Sequence, residues 1–307
     1  MALPANPLND PAAATLTAGD LEARFLPSFG MLGASLRHKG VEILRRLDDL
    51  EAAAAKGSTA GIPFLYPWAN RLAAPRYEKA APEVVLDPAS PLLHFDPNGL
   101  PIHGVPWARL NWTVIEKRTD SVTAGLDWSR TDLLAVFPYR HRLTMTASLQ
   151  DDGLTIETIV HAGDGPVPVS FGFHPYIGVP DLPRSQWHLT LPAMRQLRLD
   201  AHGIPIGEDV AFDGLDAPLG ARAFDDGFAL CDERATLSIS GAGRRIPVEL
   251  VDGFTHTQIY APKDKDFIAL EPMTAPTNAL VSGGGLRLVV PDASFQAVFR
   301  IRIESSA

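Results

Sequence analysis

One cysteine, Cys231, is present in the chain, so it builds neither an internal disulfide nor a cysteine-based metal centre. In the run Phe228-Ala229-Leu230-Cys231 it reads as a small buried apolar side chain rather than a reactive thiol. Long apolar runs are missing too, since no stretch approaches the roughly 18 uninterrupted apolar residues of a membrane span. The start, Met1-Ala2-Leu3-Pro4-Ala5-Asn6-Pro7, lacks the basic region and apolar core of a secretion signal. The expectation is a soluble, cytoplasmic protein without a membrane partner. Positive charge is scarce: 27 Lys and Arg against 36 Asp and Glu leave a net charge of -9. That balance repels a phosphate backbone, so nucleic acid is not an expected partner, and it argues more mildly against phosphorylated ligands. No GxxxxGK[ST] phosphate loop, HExxH helix or GxSxG elbow occurs. Gly283-Gly284-Gly285 has no Lys-Ser/Thr behind it and precedes a strand pattern, so it reads as a tight turn.

What the chain does have is proline, 27 residues of it, which points to many turns and short strands. The clearest periodicity is two. Arg142-Leu143-Thr144-Met145-Thr146-Ala147-Ser148-Leu149 alternates polar and apolar, breaks at Gln150-Asp151-Asp152-Gly153, and resumes at Leu154-Thr155-Ile156-Glu157. This is the pattern of a hairpin with one buried face. At the C-terminus Phe295, Ala297, Phe299, Ile301 and Ile303 share one face, with Gln296, Arg300 and Arg302 on the other. Further strands are expected at 21–26, 34–38, 112–116, 122–127, 187–191, 248–251, 257–261 and 267–270. Only 44–56, with Leu44, Leu47, Leu50 and four alanines stopped by Gly57, looks helical. The fold class is therefore all-β, a large antiparallel sandwich or barrel with few short helices. No linker, charge run or repeat divides it, so 1–307 is expected to form one domain.

Four segments set polar side chains among Pro, Gly and aromatics. Gly61-Ile62-Pro63-Phe64-Leu65-Tyr66-Pro67-Trp68-Ala69-Asn70-Arg71-Leu72 ends in an Asn-Arg pair, a ligand clamp or an Arg bound to loop carbonyls. Pro101-Ile102-His103-Gly104-Val105-Pro106-Trp107 and Ser170-Phe171-Gly172-Phe173-His174-Pro175-Tyr176 each hold a histidine in a constrained turn beside an aromatic. The other seven, His38, His94, His141, His161, His188, His202 and His256, lack that setting and read as surface or structural. Phe267-Ile268-Ala269-Leu270-Glu271-Pro272 ends an apolar strand in one carboxylate. Desolvation there raises a carboxyl pKa, which suits a general base; pairing with an Arg is the alternative. Two His and one Glu also match a zinc set, although zinc histidines usually come in close spacing on one helix, whereas these lie about 70 residues apart.

Taken in order, Asn70-Arg71, His103-Gly104, Phe171-Gly172-Phe173-His174-Pro175-Tyr176 and Leu270-Glu271-Pro272 resemble the aldose 1-epimerases, or galactose mutarotase-like proteins. Gly33-Ala34-Ser35-Leu36 and Gly40-Val41-Glu42-Ile43-Leu44 are similar to that family's opening strands. Ile204-Pro205-Ile206-Gly207-Glu208 and 224–230 are similar to its later loop pair. The resemblance covers about 20–303 and implies a β-supersandwich and a cofactor-free, metal-free sugar isomerase. By similarity, Glu271 would be the base on the anomeric hydroxyl and His174 the acid on the ring oxygen, with His103 bonding near the reacting centre. Asn70, Arg71 and Asp225 (with Asp226 adjacent) would hold hydroxyls, and Trp68, Trp107 or Tyr176 would stack on the ring, at least one of them packing in the core instead. The chain departs at Ile177-Gly178, where many relatives have Phe-Asn, and at Asn278, where Asp is common. Those positions bear on which sugar fits. The expected partner is a small sugar, and the expected assembly a monomer or homodimer. Two alternatives stay open: a hexose-6-phosphate epimerase, for which Arg76, Arg140 and Arg184 are the loose candidates, and a sugar-binding protein without turnover.

Overall fold

The computed structural model describes residues 9–45, 50–56, 58–78 and 83–305. It is built from strands, with helices only at Leu50–Lys56, Thr131–Val136 and Ala279–Ser282 apart from single 3-10 turns among the described residues. Two large sheets, of ten and eight strands, dominate. Their strand pairings are antiparallel. An N-terminal meander of Ala14–Ala18, Leu21–Leu26, Leu32–His38 and Val41–Glu42 forms a smaller third sheet.

The hairpin forms as its alternation predicts. His141–Gln150 pairs with Gly153–Ala162 down to Gln150 opposite Gly153, leaving Asp151-Asp152 as a two-residue turn. The strand Ser294–Arg302 buries Phe295, Ala297, Phe299 and Ile301. Phe299 meets Phe173 at 4.8 Å between ring centres and Phe295 meets Phe171 at 6.2 Å, so the C-terminal strand of the larger sheet packs on the smaller sheet's histidine-bearing segment. Each such ring contributes on the order of 1.5–3 kcal/mol by burial. The polar side of that strand is laced by ion pairs from Arg300 and Arg302 to Asp152 and from Arg302 to Glu249.

Two expectations are corrected. The described helix is Leu50–Lys56; Leu44 instead bridges Ile177, Arg45 N–H donates to Tyr176 O at 2.9 Å, and Gly178 N–H donates to Ile43 O at 3.0 Å. Pairing along that sheet edge outweighs the helical spacing, while Leu47 falls outside the described residues. Cys231 is exposed, because the strand Phe224–Leu230 ends one residue earlier and the chain turns outward through Asp232, Glu233 and Arg234. The glycine triplet does form a turn: Gly283 and Gly285 have φ of 78° and 65°, just past the helix Ala279–Ser282. No described helix is long and apolar enough to cross a membrane.

Candidate active site

The floor of the site is laid out by strand register. Side chains alternate faces along a strand and share a face with the residue directly opposite. Gln258 and Tyr260 therefore point the same way, joined by Glu271 opposite Gln258 and Ala269 opposite Tyr260. Asp225 lies opposite Tyr260, and Tyr176 opposite Ala269. One row thus runs Tyr176, Ala269, Tyr260, Asp225, and the next runs Glu271, Gln258, Gly227. The small members Ala269 and Gly227 leave room between the large polar ones. Alternation also separates the two aspartates: Asp225 takes a hydrogen bond from Gln258 at 2.8 Å on this face, and Asp226 takes one from Gln196 at 2.9 Å on the other.

The wall comes from two loops that brace each other. Asn70 N–H donates to His103 Nδ1 at 3.3 Å, and His103 N–H donates to Asn70 O at 2.9 Å. Accepting at Nδ1 leaves the ring proton on Nε2. Both residues sit in the left-handed region, at φ of 56° and 63°. Beside them Gly104 has φ of 66°, and a Cβ there would lie 2.3 Å from the Tyr66 carbonyl oxygen. Gly104→Ala is expected to destabilise the fold by more than about 2 kcal/mol, from left-handed strain plus that overlap. A denaturation midpoint equal to wild type would contradict this. Arg71 donates Nε–H to Asp96 at 2.7 Å and Nη1–H to Asn70 Oδ1 at 3.2 Å.

At the centre, His174 Nε2 lies 3.1 Å from Glu271 Oε1, both side chains almost completely buried. Burial pushes the Glu271 carboxyl well up, with Asp225 adding to the shift and Arg71 opposing it. Burial pushes the His174 imidazole down, to about 3. Both shifts disfavour charge, so burial favours the neutral carboxyl beside the neutral imidazole. Glu271 Oε2 and His174 Nδ1 have no hydrogen-bond partner among the described residues. The His174 ring stacks on Tyr176 at 4.2 Å, and the Tyr176 hydroxyl is tied to Thr59 Oγ1. His103 faces His174 edge-on at 5.7 Å and is held well below the ordinary imidazole range by burial and then by His174, Arg71 and His94.

These groups enclose a cavity of about 250 Å³. Asn70, Arg71, His103, His174, Tyr176, Asp225 and Glu271 all line it, as do Ile102, Gln258 and Tyr260. Trp107 does not, a correction to its expected place beside the sugar. Its indole packs with Leu26, Phe29, Leu32, Leu50 and Ala54 and donates Nε1–H to Ser58 O at 2.9 Å. Trp68 is likewise fully buried in the core. Arg184 is spent on the carbonyls of Gly220, Arg222 and Ala261, and Arg76 faces Glu83; with Arg140 they lie outside the lining. None of the seven remaining histidines lines the cavity. His141 shows why: Nδ1–H donates to Tyr139 O and Nε2 accepts from the Tyr66 hydroxyl, a structural tie. Asn278 accepts from Ala73 N–H at 2.8 Å and supports the Arg71 backbone rather than the cavity. Among the described residues no three His, Cys, Asp or Glu are grouped to hold a metal ion.

Gln258, Tyr260 and Asp96 were not singled out from sequence. For the first two a signal existed, since they alternate with Thr257, Ile259 and Ala261 along one strand, His256–Ala261. Asp96 in Phe95-Asp96-Pro97-Asn98-Gly99 reads only as a turn residue.

The family model described as aldose 1-epimerase matches residues 15–302. No curated protein sequence matches the chain. Among solved structures, a galactose mutarotase-like protein from Clostridium acetobutylicum is similar, with TM-score 0.83, 21% identity and 95% of each chain covered. The GalM/aldose epimerase homologue from C. elegans gives TM-score 0.78 at 15% identity, over 96% of this chain and 99% of that one. Galactose 1-epimerase from Lactobacillus acidophilus gives TM-score 0.74 at 14% identity, over 95% and 94%.

Proposed function

The chain belongs to the aldose 1-epimerase family, and on that premise we propose that it interconverts the α and β anomers of a free aldose by acid–base ring opening and reclosure. The observation that carries this is the buried His174–Glu271 pair, 3.1 Å apart at the cavity. The two oxygens that must exchange protons, O1 and the ring oxygen, are bonded to the same carbon, so an acid and a base must be close neighbours to serve both at once.

Glu271 as carboxylate takes the O1 proton while His174 as imidazolium gives its own to the ring oxygen. The bond from C1 to the ring oxygen breaks and the aldehyde forms. Rotation about C1–C2 presents the other carbonyl face, and reclosure returns both protons. The pair carries one proton before and after, so no proton need be exchanged with solvent. Hydrogen bonds from the entering hydroxyls replace hydration lost on burial and move the shared proton from Glu271 to His174. The neutral Nε2–H of His103 bonds the ring oxygen as charge develops there, while Arg71, Asn70 and Asp225 hold the remaining hydroxyls.

The cavity volume, below the roughly 300–1,000 Å³ of drug-sized ligands, suits one sugar ring. Arg71 is the one cation among the described lining residues, which favours a neutral sugar over a phosphorylated one. Magnetisation exchange between anomers, measured by NMR over a panel of neutral and phosphorylated aldoses, tests this. Acceleration of neutral sugars is expected, and no acceleration of any sugar at micromolar protein overturns it.

A further inference from the structure

Arg71 enters the cavity with part of its hydrogen bonding already committed. A guanidinium carries five N–H donors in one rigid plane. Two are used, Nε–H on Asp96 Oδ2 at 2.7 Å and one Nη1–H on Asn70 Oδ1 at 3.2 Å. Holding two edges of a plane fixes the third. The other three donors have no partner among the described residues, and Arg71 lines the cavity. On another side the turn at Gly203 comes so close that a Cβ would lie 3.2 Å from Nη1.

Asp96 itself is outside the lining, with its side chain 2% exposed. Its Oδ1 accepts the N–H groups of Asn98 at 2.8 Å and Leu100 at 3.0 Å, so Oδ2 alone is turned to Arg71. Burial pushes the Asp96 carboxyl up, but Arg71 and those N–H groups outweigh it and hold it below the usual carboxylate range. It is therefore an ionised partner that opposes the Arg71 charge one residue removed from the ligand.

We propose that Asp96 is a positioning residue for the sugar: it aims the remaining donors of Arg71 into the cavity and cancels the Arg71 charge beside Glu271. This rests on the mutarotase reading. The charge matters because Asp225, Arg71, His174, His103, Tyr176 and Tyr260 line the cavity together with Glu271, and Arg71 is the cation among these described residues. An uncompensated Arg71 would draw the carboxyl down and move the loss of the pair's last proton to lower pH.

The test measures KM, kcat and the pH profile of anomer exchange in two variants. Asp96→Asn keeps an oxygen for the Asn98 and Leu100 N–H groups but loses the charge. KM is expected to rise about tenfold, the scale of one charged hydrogen bond, with kcat at the optimum little changed and the alkaline limb moved to lower pH. Asp96→Glu keeps the charge and misplaces it, so KM rises while the limb stays. In an Arg71→Ala background, Asp96→Asn should leave KM nearly unaltered. Equal KM losses in both backgrounds, or a lowered melting temperature with KM and limbs unchanged, overturn the proposal. Failure of both variants to fold also overturns it, by making Asp96 a stability residue. If the wild type accelerates no sugar, the mutarotase reading fails instead. The two-background comparison is then made on sugar affinity by titration, where equal losses or no sugar bound sink the Asp96 role.

Discussion

Glu271→Gln is expected to lower kcat by about 10²–10⁴-fold, the usual worth of a positioned acid or base, while sugar affinity stays within a few-fold of wild type. The amide matches the carboxyl in shape and still hydrogen-bonds His174 across the same 3.1 Å contact. What it lacks is a basic lone pair for the O1 proton. The fold should tolerate the change, because burial already pushes the Glu271 carboxyl toward its neutral form, and an amide carries no charge to desolvate. Exchange NMR gives the rate and titration gives the affinity. A variant that turns over within about threefold of wild type, well inside the range for a lost acid or base, would place the base elsewhere. A variant that loses binding and rate together would make Glu271 a ligand holder rather than a base.

The strands that could be read from sequence are those buried on one face. In Ser294–Arg302 and His141–Gln150, water on one side and a packed sheet on the other leave a period of two in the residue types. Pro205–Phe212 and Phe224–Leu230 escaped that reading and resembled loops. Among the described residues Pro205–Phe212 pairs only with Met194–Leu199 at the sheet edge, and it is largely exposed on both faces, so no alternation is imposed on it. The same logic divides the site. His174 and Glu271 stood out because each is a polar residue inside an apolar, proline-bounded segment. Asp96 did not, because what gives it meaning is Arg71, 25 positions earlier, and loop closure brings the two together without leaving a spacing rule. Trp107 differs from its expected place for the converse reason: an aromatic four positions after a candidate histidine opens a 3-10 segment, Trp107–Arg109, and packs into a separate apolar cluster.

His174→Gln is expected to cost a comparable 10²–10⁴-fold in kcat, and its pH dependence should differ from wild type in sign. The working form of the wild-type pair carries one proton. Lowering the pH adds a second, and because burial pushes His174 down to about 3, that loss should come far below the ordinary imidazole range near 6.5. Raising the pH removes the last proton, and the upward push on Glu271 delays this beyond the ordinary carboxylate range. Wild-type kcat/KM should therefore show no acid-side break near pH 6.5, and its alkaline fall should come above the ordinary carboxylate range. Once His174 is gone, one titrating carboxyl remains, and it serves as a base only when ionised. The residual rate of the variant should then climb with pH through the raised Glu271 pKa, where the wild-type rate is level or falling. A wild-type profile whose acid limb breaks near pH 6.5 would mean that His174 titrates like an exposed imidazole, and a variant whose residual rate falls as pH rises would mean that Glu271 is not the base.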